Sequence, residues 1–179
     1  MTPLVDYAYV HQNLAWIPPY RFAYTCIYGE VVEYDLELGG VRSAATGCQA
    51  VIGHAGGLLV HELGSAYTAY ASFDDLAAGT GTPMVLSLDD DLLLASDGLT
   101  LYGAWFSTDT LSRVELASGY SGPELVLDGF DARVAGLDAA PDAIRVVGED
   151  GIRAFDPRTG ALLELLPTPS LNGLAVVRP

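Results

Sequence analysis

Short apolar runs alternate with breaks rich in glycine, proline and aspartate along the whole chain. The runs are too short for stable helices, and several carry the β-branched and aromatic residues that suit a pleated surface. Residues 22–28 and 30–34 read as a strand pair turned at Gly29, with 41–45 as a weak edge and 15–17 as a short strand before Pro18 and Pro19. Residues 48–53, 58–61, 67–73 and 84–88 form a second group of predicted strands. A third comprises 92–95, 99–106, 111–116 and 124–127. The fourth comprises 132–137, 143–147, 152–155 and 162–166, with turns at 138–142 and 148–151. Residues 174–177 look like the first strand of a further unit. The best helical stretch, 74–78, is shorter than a helix that could stand alone.

The breaks have a period. An acid stands four residues before a glycine in Asp35/Gly39, Asp75/Gly79, Glu115/Gly119 and Asp156/Gly160, and these glycines are 40, 40 and 41 residues apart. Aspartate can cap its own turn, and glycine accepts a positive φ. A repeat near 40 residues built from strands is the signature of a propeller blade, because one small sheet cannot bury both faces alone. The expected fold is therefore all-β: a β-propeller with about four four-stranded blades of 40–41 residues, filling residues 1–179 as one domain. A β-sandwich is the alternative. Innermost strands at 15–17, 48–53, 92–95, 132–137 and 174–177 leave one strand over. Three closures follow: a small ring sealed by the C-terminal strand, a homodimer that closes the ring, or a piece of a longer propeller. Gly53, Ala95, Gly136 and Ala175 are the small residues expected near the axis.

The segment Val146-Val147-Gly148-Glu149-Asp150-Gly151-Ile152-Arg153-Ala154-Phe155-Asp156-Pro157-Arg158-Thr159-Gly160 resembles the repeat of YVTN-type and quinoprotein-like propellers. Those repeats run strand, small polar hairpin, strand, then an Asp-Pro-x-Thr-Gly turn. The other three acid-to-glycine turns are degenerate versions. The tryptophan that docks between blades in the quinoprotein type is absent from the matching positions; Trp16 and Trp105 are out of phase. The resemblance thus implies a fold without a bound cofactor, and it does not imply an activity, since propellers host many.

Composition narrows the partners. The chain has 179 residues, half of them hydrophobic, so a sizeable core is possible. Twenty-three acids face eight arginines and no lysine, for a net charge of -15. Nucleic acid and anionic membrane surfaces need a positive field and are excluded as partners. No run approaches the ~20 apolar residues of a membrane span, and the opening residues lack a basic, then apolar, leader pattern. The expectation is a soluble protein, either cytoplasmic or secreted with its leader missing from this chain. Cys26 and Cys48 cannot hold zinc by themselves; they are either a disulfide closing residues 26–48 or two buried thiols.

Candidate chemistry is thin. His11, His54 and His61 are the histidines, and His54 with His61 would need adjacent strands and a third ligand to hold a metal. Asp89-Asp90-Asp91 and Asp74-Asp75 are dense acids that either bind Ca²⁺ or are solvated turns. Glu30, Glu33 and Glu37 form no recognised acid–base pair, and Gly64-Ser65-Ala66 is no nucleophile elbow. Residues 53–57 are glycine-rich but lead into a strand, where a phosphate site needs a helix N-terminus. Tyr20, Tyr24, Tyr28, Tyr34, Tyr67, Tyr70, Tyr102 and Tyr120 either pack between blades or, with Trp16, line a face for peptide or sugar.

No catalytic, cofactor or metal residue is assigned. The leading reading is a non-catalytic binding or scaffold module that engages a protein partner through loops at one end of the propeller. The alternative is an enzyme, or a carbohydrate- or ion-binding propeller, whose axial channel would bring together His54, Asp97, Asp138 and Asp142. A third reading is an acidic secreted repeat stabilised by Ca²⁺.

Overall fold

The repeated turn sets the architecture. The computed structural model describes residues 15–16, 21–64, 66–88, 93–104, 109–131, 134–148 and 150–167. The first sheet holds β1 (Ala15–Trp16), β2 (Phe22–Ile27), β3 (Glu30–Asp35) and β4 (Val41–Ala45). The second holds β5 (Cys48–His54), β6 (Gly57–Glu62), β7 (Ala66–Tyr70) and β8 (Thr82–Met84), with helix α1 (Phe73–Ala78) between its last two strands. The third holds β9 (Leu93–Ser96), β10 (Thr100–Ala104), β11 (Thr110–Glu115) and β12 (Leu125–Val126). The fourth holds β13 (Gly136–Ala139), β14 (Ile144–Gly148), β15 (Gly151–Phe155) and β16 (Leu162–Pro167). Every sheet is a meander paired antiparallel in chain order. Four such sheets in succession are propeller blades, and the β-sandwich alternative is set aside.

All four periodic glycines occupy the same place, the connection from a blade's third strand to its fourth. Gly39, Gly79, Gly119 and Gly160 have φ of 71, 68, 68 and 72°, the left-handed region that glycine enters without strain. The N–H groups of Gly39, Gly119 and Gly160 donate to the carbonyls of Asp35, Glu115 and Asp156 at 2.8, 2.8 and 2.9 Å. The Asp35 carboxylate also accepts from the N–H groups of Glu37 and Leu38, and that of Asp156 from Arg158 and Thr159.

The second blade departs from the strand reading of 67–73. Its third strand stops at Tyr70, and Phe73 opens α1. The reason is local. Ser72 caps the helix by accepting from the Asp75 N–H, Asp74 and Asp75 lie in the positive first turn, and Gly79 closes the far end. Other boundaries move as well. Residues 85–88 run on outside any strand, with Leu86 and Leu88 buried in the core between the second and third blades. Asp138 and Ala139, read as turn residues, instead end β13 opposite Arg145 and Ile144. An ion pair with Arg145 at 3.5 Å lets Asp138 sit in a strand.

Blades meet face to face. Between the first and second lie Tyr24, Cys26 and Val31 against Val51, Leu58, Val60 and Phe73. Between the second and third lie Ile52, Leu59 and Tyr67 against Leu94, Leu101 and Val114. Between the third and fourth lie Leu93, Leu111 and Leu125 against Leu137, Ile144, Val146 and Phe155. In the second blade alternate residues of β6, Leu58 and Val60 against Leu59, serve opposite neighbours. That explains why inner strands read as continuous apolar runs rather than as alternating ones. First strands lie side by side, β1 by β5, β5 by β9 and β9 by β13. Gly53, Ala95 and Gly136 fall on them as expected; Ala175 and residues 174–177 lie outside the described residues. Of the two readings of the cysteines, the disulfide is the observed one. Cys26 of β2 is bonded to Cys48 of β5, so the bond ties the first blade to the second.

Candidate functional site

First-to-second strand turns recur at equivalent places, and they carry the axial candidates. His54 ends β5, Asp97 follows β9, and Asp142 lies between β13 and β14. Asp97 is occupied as a turn cap. Its carboxylate accepts from the N–H groups of Leu99 and Thr100 at 2.8 and 2.7 Å and from the Tyr102 hydroxyl at 3.2 Å. Burial, with Asp97 alongside, pushes the Tyr102 phenol up to about 12. Burial lowers the His54 pKa. Asp138 is held by Arg145. Among the described residues no three of His, Cys, Asp and Glu gather in a way that could hold a metal ion. His54 pairs with Gly57 and His61 with Ala50, at opposite ends of the β5–β6 hairpin, so the two histidines form no ligand pair. The His61 ring is buried and stacks on Tyr67 with centroids 4.5 Å apart. His11, Asp89, Asp90, Asp91, Ser65, Tyr20 and Trp105 lie outside the described residues.

Glu33 is buried and pairs with Arg42 at 2.5 Å; Arg42 reaches on to Asp74 at 2.6 Å and lies over the Phe73 ring at 4.6 Å. This network joins β3 and β4 of the first blade to α1 of the second, and it is structural. Burial first, and then Glu33, push the Tyr24 phenol well above its ordinary range. Tyr24, Tyr67, Tyr70 and Tyr102 are core tyrosines between blades, whereas Tyr28 and Tyr120 are exposed.

What stands out on the turns is apolar. Leu38 sits in the third-to-fourth turn of the first blade, and Leu99 and Tyr120 in two turns of the third; they are 78%, 76% and 70% exposed. The Leu99 carbonyl accepts from the Leu116 N–H at 2.9 Å, and the Tyr120 carbonyl from the Glu115 N–H at 2.9 Å, so both third-blade turns are tied to the end of β11. Sequence reasoning named Tyr120 but passed over the two leucines. The signal was available: a large apolar residue inside a glycine turn, as in Leu38-Gly39 and Gly98-Leu99, has no strand face to bury it.

No protein-family model and no curated protein matches the chain in sequence. The likeness to solved structures is at the level of fold. A chain in the crystal structure of the mitotic checkpoint complex superposes with a TM-score of 0.58 at 16% identity, over 92% of this chain and 52% of that one. The crystal structure of the N-terminal domain of Nup159 gives 0.51 at 17% identity, over 90% of this chain and 45% of the other. This chain therefore spans about half the length of each. Together with the four sheets, these comparisons define an all-β protein with its blades in a propeller arrangement. At such identities they speak for the fold alone. Among the described residues no helix is long and apolar enough to cross a membrane.

Proposed function

We propose that this propeller is a non-catalytic module that binds a protein partner through its turns. The observation that carries the reading is the set of large apolar side chains, Leu38, Leu99 and Tyr120, held on hydrogen-bonded turns instead of in the inter-blade cores. Tyrosine and leucine on a rigid turn bury area at little ordering cost. Glu37 and Glu115 belong to the same turns, so a partner with basic residues around an apolar centre fits them. That a similar fold occurs in a chain of a multi-protein checkpoint complex supports the reading. The axial enzyme, carbohydrate or ion-binding reading has less behind it, because Asp97 and Asp138 already have partners. The finer repeat type is the YVTN-like and quinoprotein-like one, supported by the Asp156–Gly160 turn of the fourth blade. The Cys26–Cys48 bond favours an oxidising compartment.

The test compares proteins retained from an extract of the source cells by the wild type and by a Leu99→Asp/Tyr120→Asp variant with unchanged melting. The reading expects proteins held by the wild type to be lost by the variant. Identical retention by both counts against it.

A further inference from the structure

A blade's outermost strand presents unpaired backbone N–H and C=O groups, and proteins commonly blunt such edges. Three of the four outer strands here are blunted. β4 carries the arginine Arg42, β8 is three residues long with Pro83 in the middle, and β12 has two residues. β16 is different. It runs for six residues with a single bulge at Leu163, with proline only at its last position and no cation. Its four leucines, Leu162, Leu163, Leu165 and Leu166, are 43%, 55%, 42% and 49% exposed. Register with β15 sets Leu165 opposite Arg153 and Leu166 opposite Ile152, so exposed leucine stands on both faces of the edge. β15 is the single strand paired with it among the described residues.

We propose that β16 receives an extended segment of a partner protein as a fifth strand, and that this segment alternates apolar with basic residues. The ladder would supply main-chain hydrogen bonds, and the leucines would supply side-chain contact on either face. Charge selects the occupant. Glu164 stands in the middle of the strand, in a chain of net charge -15. A cationic segment is drawn to it, and an acidic one is repelled. A second copy of this chain is disfavoured for the same reason. Antiparallel self-pairing centred on Glu164 sets carboxylate against carboxylate, which destabilises a cross-strand pair. This edge is a different surface from the turns that carry Leu38, Leu99 and Tyr120, and the proposal stands or falls without them.

The experiment pans a phage-displayed library of random peptides, about ten residues long, against the immobilised chain. Such a peptide covers the six residues of β16 at the rise of a strand. The expected winners alternate Val, Ile or Leu with Arg or Lys. A synthetic winner should bind at least ~10-fold more weakly to a Leu163→Lys/Leu165→Lys variant, and a copy with proline at its centre should also lose binding. Glu164→Lys, at an exposed position, should weaken the enrichment of Arg and Lys among the winners while keeping the fold. Leu99→Asp/Tyr120→Asp should leave peptide binding unchanged, which separates this proposal from the turn reading. The proposal is overturned if panning enriches nothing, if winners carry no basic residues, or if the leucine variant binds them as well as wild type. A wild-type dimer that the same leucine variant dissociates would also overturn it, by assigning the edge to a second copy.

Discussion

Gly39 and Gly160 hold the same backbone angle and differ in what stands beside them. A Cβ on Gly39 meets nothing within 4 Å, whereas one on Gly160 runs into the carbonyl oxygen of Val126 in the preceding blade. The Gly160 carbonyl also accepts from the Asp128 N–H at 2.9 Å, so this turn is clamped to its neighbour. Gly39→Ala should therefore show the left-handed strain alone, about 1–2 kcal/mol. Gly160→Ala should cost clearly more, since a backbone atom cannot step aside. Urea unfolding of both variants checks this, and equal losses would deny the inter-blade role of the turn. Asp35 supports a second prediction. A two-pronged bond from Arg21, with the N–H groups of Leu38 and Glu37, lowers its carboxyl from 3.8 to about 2. The folded pKa lies below the unfolded one. The stabilisation is thus complete above about pH 4 and fades as pH falls from 3.8 toward about 2. Asp35→Asn should lower Tm at pH 7 and flatten the fall of Tm over that acid window. Thermal melts in steps from pH 5 to pH 2 measure it, and parallel curves for the two proteins would rule it out.

Between the first and second blades, a covalent bond and a charged network join elements, and each makes a prediction. Glu33 is buried, and Arg42 is its cation. Removing Arg42 strands that carboxylate, so Arg42→Ala should cost about 3 kcal/mol. Asp74 is largely exposed, and Asp74→Ala should cost under ~1 kcal/mol. Denaturant midpoints of the two variants decide, and similar losses would mean that the exposed half of the network matters as much as the buried half. The Cys26–Cys48 bond spans a separation of 22 residues, and a Cys26→Ser/Cys48→Ser variant should lose roughly 3 kcal/mol on a chain-entropy argument. A thiol assay on the denatured, unreduced protein should find none, and two thiols would refute the pairing. The legibility of these elements follows from how local their causes are. The four acid-to-glycine turns were readable because Asp, Pro and Gly act on their own backbone. Residues 74–78 read as the best helical stretch but as too short to stand alone; α1 forms there because Ser72, Asp75 and Gly79 cap it with the residues that elsewhere make a turn. The leucines of β16 read as core strand; as the outermost strand of the fourth blade, β16 leaves them exposed among the described residues. Likewise Asp97 was visible as a strand-end acid, but the Tyr102 hydroxyl and the two N–H groups that occupy it were not.

At the scale of the molecule, four blades share three described inter-blade cores, and 23 acids against eight arginines sit on the structure those cores hold together. A net charge of -15 repels itself across the surface and opposes compaction. Screening should therefore stabilise the fold. Raising NaCl from low ionic strength to about 0.5 M, where the Debye length drops to a few ångströms, should recover on the order of 1 kcal/mol. For a chain of this size that is roughly 2–4 °C in Tm. The same experiment separates diffuse screening from the Ca²⁺-stabilised reading of the acids. Screening by divalent ions depends on charge and concentration, which calcium and magnesium share. A built calcium site depends on six to eight oxygen ligands at calcium's longer bond length, which magnesium does not accept. Ligand linkage would add to Tm as free calcium exceeds its dissociation constant. Equal concentrations of CaCl2 and MgCl2, at an ionic strength matched with NaCl, should give equal melting temperatures. An excess shift with calcium alone, reversed by chelator, would put a specific ion on this acidic surface and shift the weight from the protein-binding reading toward the ion-binding one.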